Sequence, residues 1–248
     1  MQRKYVVHLL MKDNANISMR KIVYSLLASA ALASCASQYS IEGQTSSSDL
    51  EGKKIILKAV SVDGMQPLDS CEVIHGNFKL SGVCDTVQMA ELFLDEAPML
   101  PLILETAPIK VNINDTVMKV FGTPMNEMLY EFILKKSELE MQANELPRKE
   151  TRMIMDGMME EEIVAQLSAE YAKLMNDYDK LVMEYVTKNF DNMLGVSVFM
   201  LHTQGAVPMI NAQIEDIMSK ATETFKNHEY VKAFMKQAEE NQRNMFNR

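Results

Sequence analysis

The feature that most constrains this chain is a change of hydrophobic period at Gly122. Before it, apolar and polar residues alternate. Ile109, Val111 and Ile113 are interleaved with Lys110, Asn112 and Asn114, and Val117, Lys119 and Phe121 alternate with Met118 and Val120. Alternation puts one set of side chains on one face of a strand. "KKIILKAV", "TVQMAELFL" and "LPLILET" add further strands, separated by the turn signals "SVDG", "IHGN" and "DEAP". About eight short strands over 39–122 predict an antiparallel β-sandwich or partly closed barrel.

Beyond Gly122 the spacing becomes helical. Thr123 suits a helix N-cap and Pro124 the first turn. Met125, Leu129, Phe132 and Ile133 form an apolar face, and a break is expected from Pro147 to Gly157. Ile163, Leu167, Tyr171, Leu174, Tyr178, Leu181 and Tyr185 then recur at three- and four-residue steps through a long helix. Three shorter helices are expected at about 193–204, 210–223 and 228–245. The fold class is therefore α+β: a β-domain over 39–122 and a helical region over 123–248, its helices packing mainly on one another.

The front of the chain reads as an address. "MRKIVYSLLASAALASC" has a basic head, Arg20 and Lys21, and an apolar run from Ile22 to Leu32. That run is shorter than the roughly 20 residues a membrane-spanning helix needs and fits a secretory signal over 19–34. Leu32-Ala33-Ser34-Cys35 resembles a bacterial lipobox. The resemblance implies cleavage between Ser34 and Cys35, diacylglycerol on the Cys35 sulfur and acylation of the new amine. Residues 35–38 would be the anchor and tether, and the covalent lipid would hold the protein on a membrane. Ala36 and Ser37 place no acid beside the anchor, which points to the outer membrane, facing the periplasm. Residues 1–18 precede the natural start at Met19 and read as a mis-assigned upstream extension.

Residues 1–34 hold five of the 25 basic residues and one of the 34 acidic ones, so the chain from Cys35 onward carries a net charge of −13. This balance disfavours nucleic-acid binding, which needs a basic patch. It equally disfavours attraction to anionic lipid.

Few residues suggest chemistry. Cys71 and Cys84 flank "IHGN", which reads as the turn of a hairpin. That geometry puts both cysteines on the apolar face and separates them by roughly 7–13 Å at ~3.3 Å per residue. A disulfide needs Cα atoms within about 7 Å, so buried free thiols are the main reading and a disulfide across a curled strand end the alternative. The chain has 22 methionines, and "RMIMDGMMEEE" groups Met153, Met155, Met158 and Met159. Soft thioethers select Cu(I); flexible core filling or an adaptable partner surface is the other account. Glu160, Glu161 and Glu162 suit the positive end of a helix dipole. His75 sits at a turn, and His202 and His228 lack ligand spacing. There is no phosphate loop, dinucleotide fingerprint or nucleophile elbow.

"YSIEG", "LDSCEVIHGNFKLSG", "LPLILE" and "VFGTPMNEMLYEF" together resemble the uncharacterised β-domain that precedes a thioredoxin-like domain in lipid-anchored TlpA/ResA-like proteins. "NFDNMLGVSVFML" and "KNHEYVKAF" resemble that family's linker region. The resemblance implies a thioredoxin-like module next, but the chain ends at Arg248 and contains no Cys-x-x-Cys, so no catalytic residue carries over. The expectation is a non-enzymatic, anchored binding or assembly module with an envelope protein partner and no cofactor. Alternatives are an accessory to thiol–disulfide exchange through Cys71 or Cys84, and a small-ligand or metal carrier using a groove between sheet and helices.

Overall fold

Among the described residues, eight strands form within the region expected to be β: β1 (Gln38–Thr45), β2 (Lys54–Ser61), β3 (Gly64–Glu72), β4 (Asn77–Val83), β5 (Gln88–Leu94), β6 (Ala97–Leu104), β7 (Pro108–Ile113) and β8 (Met118–Phe121). The computed structural model describes residues 37–114, 118–205 and 207–246; the expected leader, the Ser34–Cys35 junction, the lipidated Cys35 and Val117 lie outside the described residues. The strands make two four-stranded sheets, ordered β4-β1-β7-β8 and β3-β2-β5-β6. All pairs are antiparallel except β1 and β7, which run parallel with Ile41 opposite Ile109. Neither sheet closes on itself, so the sandwich is the form realised. Its interior is filled by the inward residues of both sheets, among them Ile41, Leu57, Leu80, Leu92, Leu102 and Ile109. Gly43 makes room there: a Cβ at this position would lie 1.9 Å from the Phe78 ring.

The stretch expected as a β3–β4 hairpin does something else. Ile74 and Asn77 exchange both backbone hydrogen bonds, at 2.9 and 3.0 Å, around His75 and Gly76 at φ 51° and 70°. This is the tight turn the residues call for. Past that single bridge the strands separate: Cys71 pairs with Ile55 of β2, whereas Phe78 pairs with Gly43 of β1. The turn is a corner between sheets. Alternation determines which face a residue occupies but not which strand lies beside it.

The helices are α1 (Pro124–Met155), α2 (Glu160–Thr187), α3 (Met193–Thr203), α4 (Ala212–Lys220), α5 (Glu223–Asn227) and α6 (Glu229–Phe246). The break expected from Pro147 to Gly157 falls at the end of that range: α1 continues through Pro147 to Met155. A proline inside a helix removes one N–H bond and costs ~3 kcal/mol. Pro147 is exposed, and the flanking turns are held by packing along α2. Gly157, at φ 74°, lies in the turn between α1 and α2.

Phe132, Val182, Val186, Leu194, Phe199, Ile217 and Phe225 are buried in a second core, where Phe199 meets Phe225 and Phe234 edge-on at 5.5 and 5.3 Å. Met89 of β5 and Ile103 of β6 belong to this core, so the helices pack on the outer face of the second sheet as well as on each other. The described residues from Gln38 onward form one compact unit.

Candidate functional site

The methionine cluster lies at the tip of the α1–α2 hairpin. Met153 is buried, but Met155 is 83% exposed and Met159 64% exposed, with Met158 at the exposed margin. Ile154 and Val164 add exposed apolar surface beside them. The distal part of the hairpin is held by few buried residues (Met153, Ile163 and Leu174) and by the Lys149–Glu170 ion pair between the helices. Glu160, Glu161 and Glu162 occupy the first turn of α2, the place where negative charge is favoured. Among the described residues, no cluster of three or more His, Cys, Asp or Glu is arranged to hold a metal ion.

Cys71 and Cys84 are free thiols, one on β3 and the other just past the end of β4 in the other sheet. Cys71, half-buried on the edge strand β3, opens on a hollow of about 540 Å³ with Glu42, Gln44, Phe78 and Lys79. Cys84 is buried just after β4, and its thiol donates to the Thr86 carbonyl at 3.1 Å. Burial pushes both thiols above their ordinary pKa. Nucleophilic exchange needs the thiolate, which this environment disfavours.

A cleft of about 370 Å³ lies between the second sheet and the helices, with Val87, Met125, Phe190, Met193 and Val196 as its apolar lining and Asp191, Thr224 and His228 as polar groups. An adjoining hollow of about 310 Å³ shares Val87, Met193 and His228. The Tyr230 backbone N–H donates to His228 Nδ1 at 3.3 Å, which leaves Nε2 as the protonated nitrogen of the neutral ring. Burial holds the His228 pKa below its ordinary value. The arrangement offers a neutral hydrogen-bond donor beside an apolar wall, a combination suited to orienting a small molecule.

His202 is placed by α3 against Tyr178 of α2, Nδ1 to Oη at 3.2 Å, with its pKa lowered by burial. Neither this pair nor the His228 cleft is visible in the spacing of histidines along the chain. Each joins elements more than twenty residues apart. Tyr171, expected on the buried face of α2, is 52% exposed, although Ile163 and Leu174 of the same face are buried. Among the described residues, no helix is long and apolar enough to cross a membrane.

Residues 39–129 match a domain of unknown function (DUF4369). The matched segment runs from β1 to the first turns of α1. None of the curated proteins matches the chain. One solved structure, titled a "putative cell adhesion protein" from Bacteroides ovatus, is 14% identical, with a TM-score of 0.21. The alignment covers 35% of this chain and 42% of that one, and a likeness this slight carries no argument.

Proposed function

We propose that this protein is a lipid-anchored module of the bacterial cell envelope that binds or assembles other proteins and performs no catalysis. The observation that carries the reading is the α1–α2 hairpin, whose distal half leaves Met141, Ile154, Met155, Met159, Val164 and Tyr171 exposed. Exposed apolar side chains grouped on one projection mark interaction surfaces, and flexible methionines adapt to a partner's shape. The lipobox-like Leu32-Ala33-Ser34-Cys35 supports anchoring through Cys35, with the unit facing the periplasm. In this reading the module works beside a separate thioredoxin-like enzyme, the association suggested by its resemblance to the β-domains of TlpA/ResA-like proteins.

A photo-crosslinking residue at position 155 in intact cells tests the proposal. The expected result is a defined protein adduct in the membrane fraction that is lost with Cys35→Ala. Labelling of lipid or of nothing would contradict it.

The cleft lined by Phe190, Met193 and His228 favours a second reading, a carrier of a small apolar ligand. A ligand that raises the melting temperature of the wild type but not of Met193→Lys would support it. Direct thiol exchange is less favoured, because burial raises the pKa of Cys71 and of Cys84.

A further inference from the structure

One face of α2 changes partner halfway along the helix. Val164, Ser168, Tyr171, Met175, Val182 and Val186 follow each other at steps of four, three, four, seven and four residues, and side chains so spaced stack on a single side. At the lower end Val182 and Val186 are fully buried in the helical core, where α3 and α4 pack on α2. The cover stops at Tyr178, which meets His202 near the C-terminal end of α3. Above it the face is bare: Met175 is 41%, Tyr171 52% and Val164 56% exposed. Ser168 and the neighbouring Ala165 and Ala172 are exposed too. The two charged residues between 164 and 175 lie off this face. Glu170 pairs with Lys149 of α1, and Lys173, two positions from both Tyr171 and Met175, points away from them.

We propose that the bare upper face of α2 receives an amphipathic helix of another protein, stacked on the end of α3 and carrying Lys or Arg at both ends of its apolar stripe. The seam would extend an interface the protein already uses, and the small side chains at 165, 168 and 172 let helix axes approach at the usual 8–10 Å. Charge selects the occupant. Glu160 and Glu161 stand above the bare face and Asp179 below it. The C-terminus of α3 adds the negative end of its dipole at the lower boundary. A second copy of this chain would set Glu160 and Glu161 against Asp179 if antiparallel, or against themselves if parallel; like charges across a contact are disfavoured. A basic-ended helix meets no such repulsion.

This inference rests on the assembly reading and can fail without it. Two synthetic helical peptides with the same leucine stripe, one with lysine ends and one with glutamate ends, are titrated against the purified full chain. The lysine peptide should bind at least tenfold more tightly. Tyr171→Asp should weaken it at least fivefold, although the added negative charge would strengthen a purely electrostatic attraction. A crosslinker at position 171 in intact cells should then yield an adduct mapping to a helical segment with basic ends. Equal affinity for the two peptides, binding unmoved or strengthened by Tyr171→Asp, or adducts joining two copies of the chain or lipid would each overturn the inference. Adducts from position 155 with none from 171 would overturn it and leave the assembly reading standing; adducts from neither would overturn both.

Discussion

The side chain of Asn126 acts as one more residue of the β6 edge. Its Oδ1 accepts from the Ile103 backbone N–H at 2.9 Å and its Nδ2 donates to the Ile103 carbonyl at 2.8 Å, and both residues are fully buried. Nδ2 also donates to the Thr123 hydroxyl at 2.9 Å, so Thr123, placed as N-cap, spends its side chain on Asn126 rather than on a helix N–H. Tyr130, one turn on, donates to the Pro101 carbonyl at 3.0 Å. The start of α1 is thereby fastened along the open edge of the second sheet.

Asn126→Ala strands the Ile103 N–H and carbonyl in the interior, at about 1–3 kcal/mol for each buried group left unpaired. A loss of about 3 kcal/mol is expected, read as a lower denaturation midpoint at unchanged slope. A loss below about 0.5 kcal/mol would show that the clasp is dispensable.

The strands and helices were legible because their signals are local. Alternation around Ile109–Ile113 and the three–four spacing from Ile163 to Tyr185 each need only one segment. Partnership was not legible. Cys71 and Phe78 lie on opposite sides of a readable turn, yet they join different sheets. Asn126 looks like any polar residue of a first helical turn, and its partner lies 23 residues upstream. Tyr171 shows the same limit at the candidate site: spacing defines a face of α2, but only tertiary packing decides which of its residues are covered.

Ser197 gives a prediction of opposite sign. Its hydroxyl is buried in α3 with no protein hydrogen-bond partner. Ser197→Ala removes an unpaired polar atom and should leave stability unchanged or raise it by up to about 1 kcal/mol. Thermal melts would detect this as a small upward shift; a marked fall would mean that the hydroxyl is paired.

Acidification should weaken the fold through two half-buried imidazoles. His202 and His228 both have pKa values lowered by burial, so below the ordinary value of about 6.5 the unfolded chain binds more protons than the folded one. Their contribution is fully present above that value and is lost as the pH falls toward the folded values. Glu91, whose carboxyl is raised by burial, acts in the reverse sense, so the test is a difference between variants. His202→Gln with His228→Gln should lose less stability than the wild type between about pH 7 and pH 5. Equal losses would contradict the assignment.

The thiols should differ in rate. Cys71 is half-buried and Cys84 is buried, and both are raised above the ordinary thiol pKa. In the folded protein at neutral pH, alkylation should be slower at both than in a free peptide, and slowest at Cys84. Rapid modification of either would revive thiol exchange as the function.

The assembly reading is tested most directly by the size of the particle that the full chain forms when the envelope is solubilised in mild detergent. Sedimentation should show the wild type in a complex heavier than the single chain and containing a second protein, with Val164→Asp and Tyr171→Asp together releasing the chain alone. A wild type that sediments as a single chain, or a complex unchanged by the two substitutions, would contradict the account.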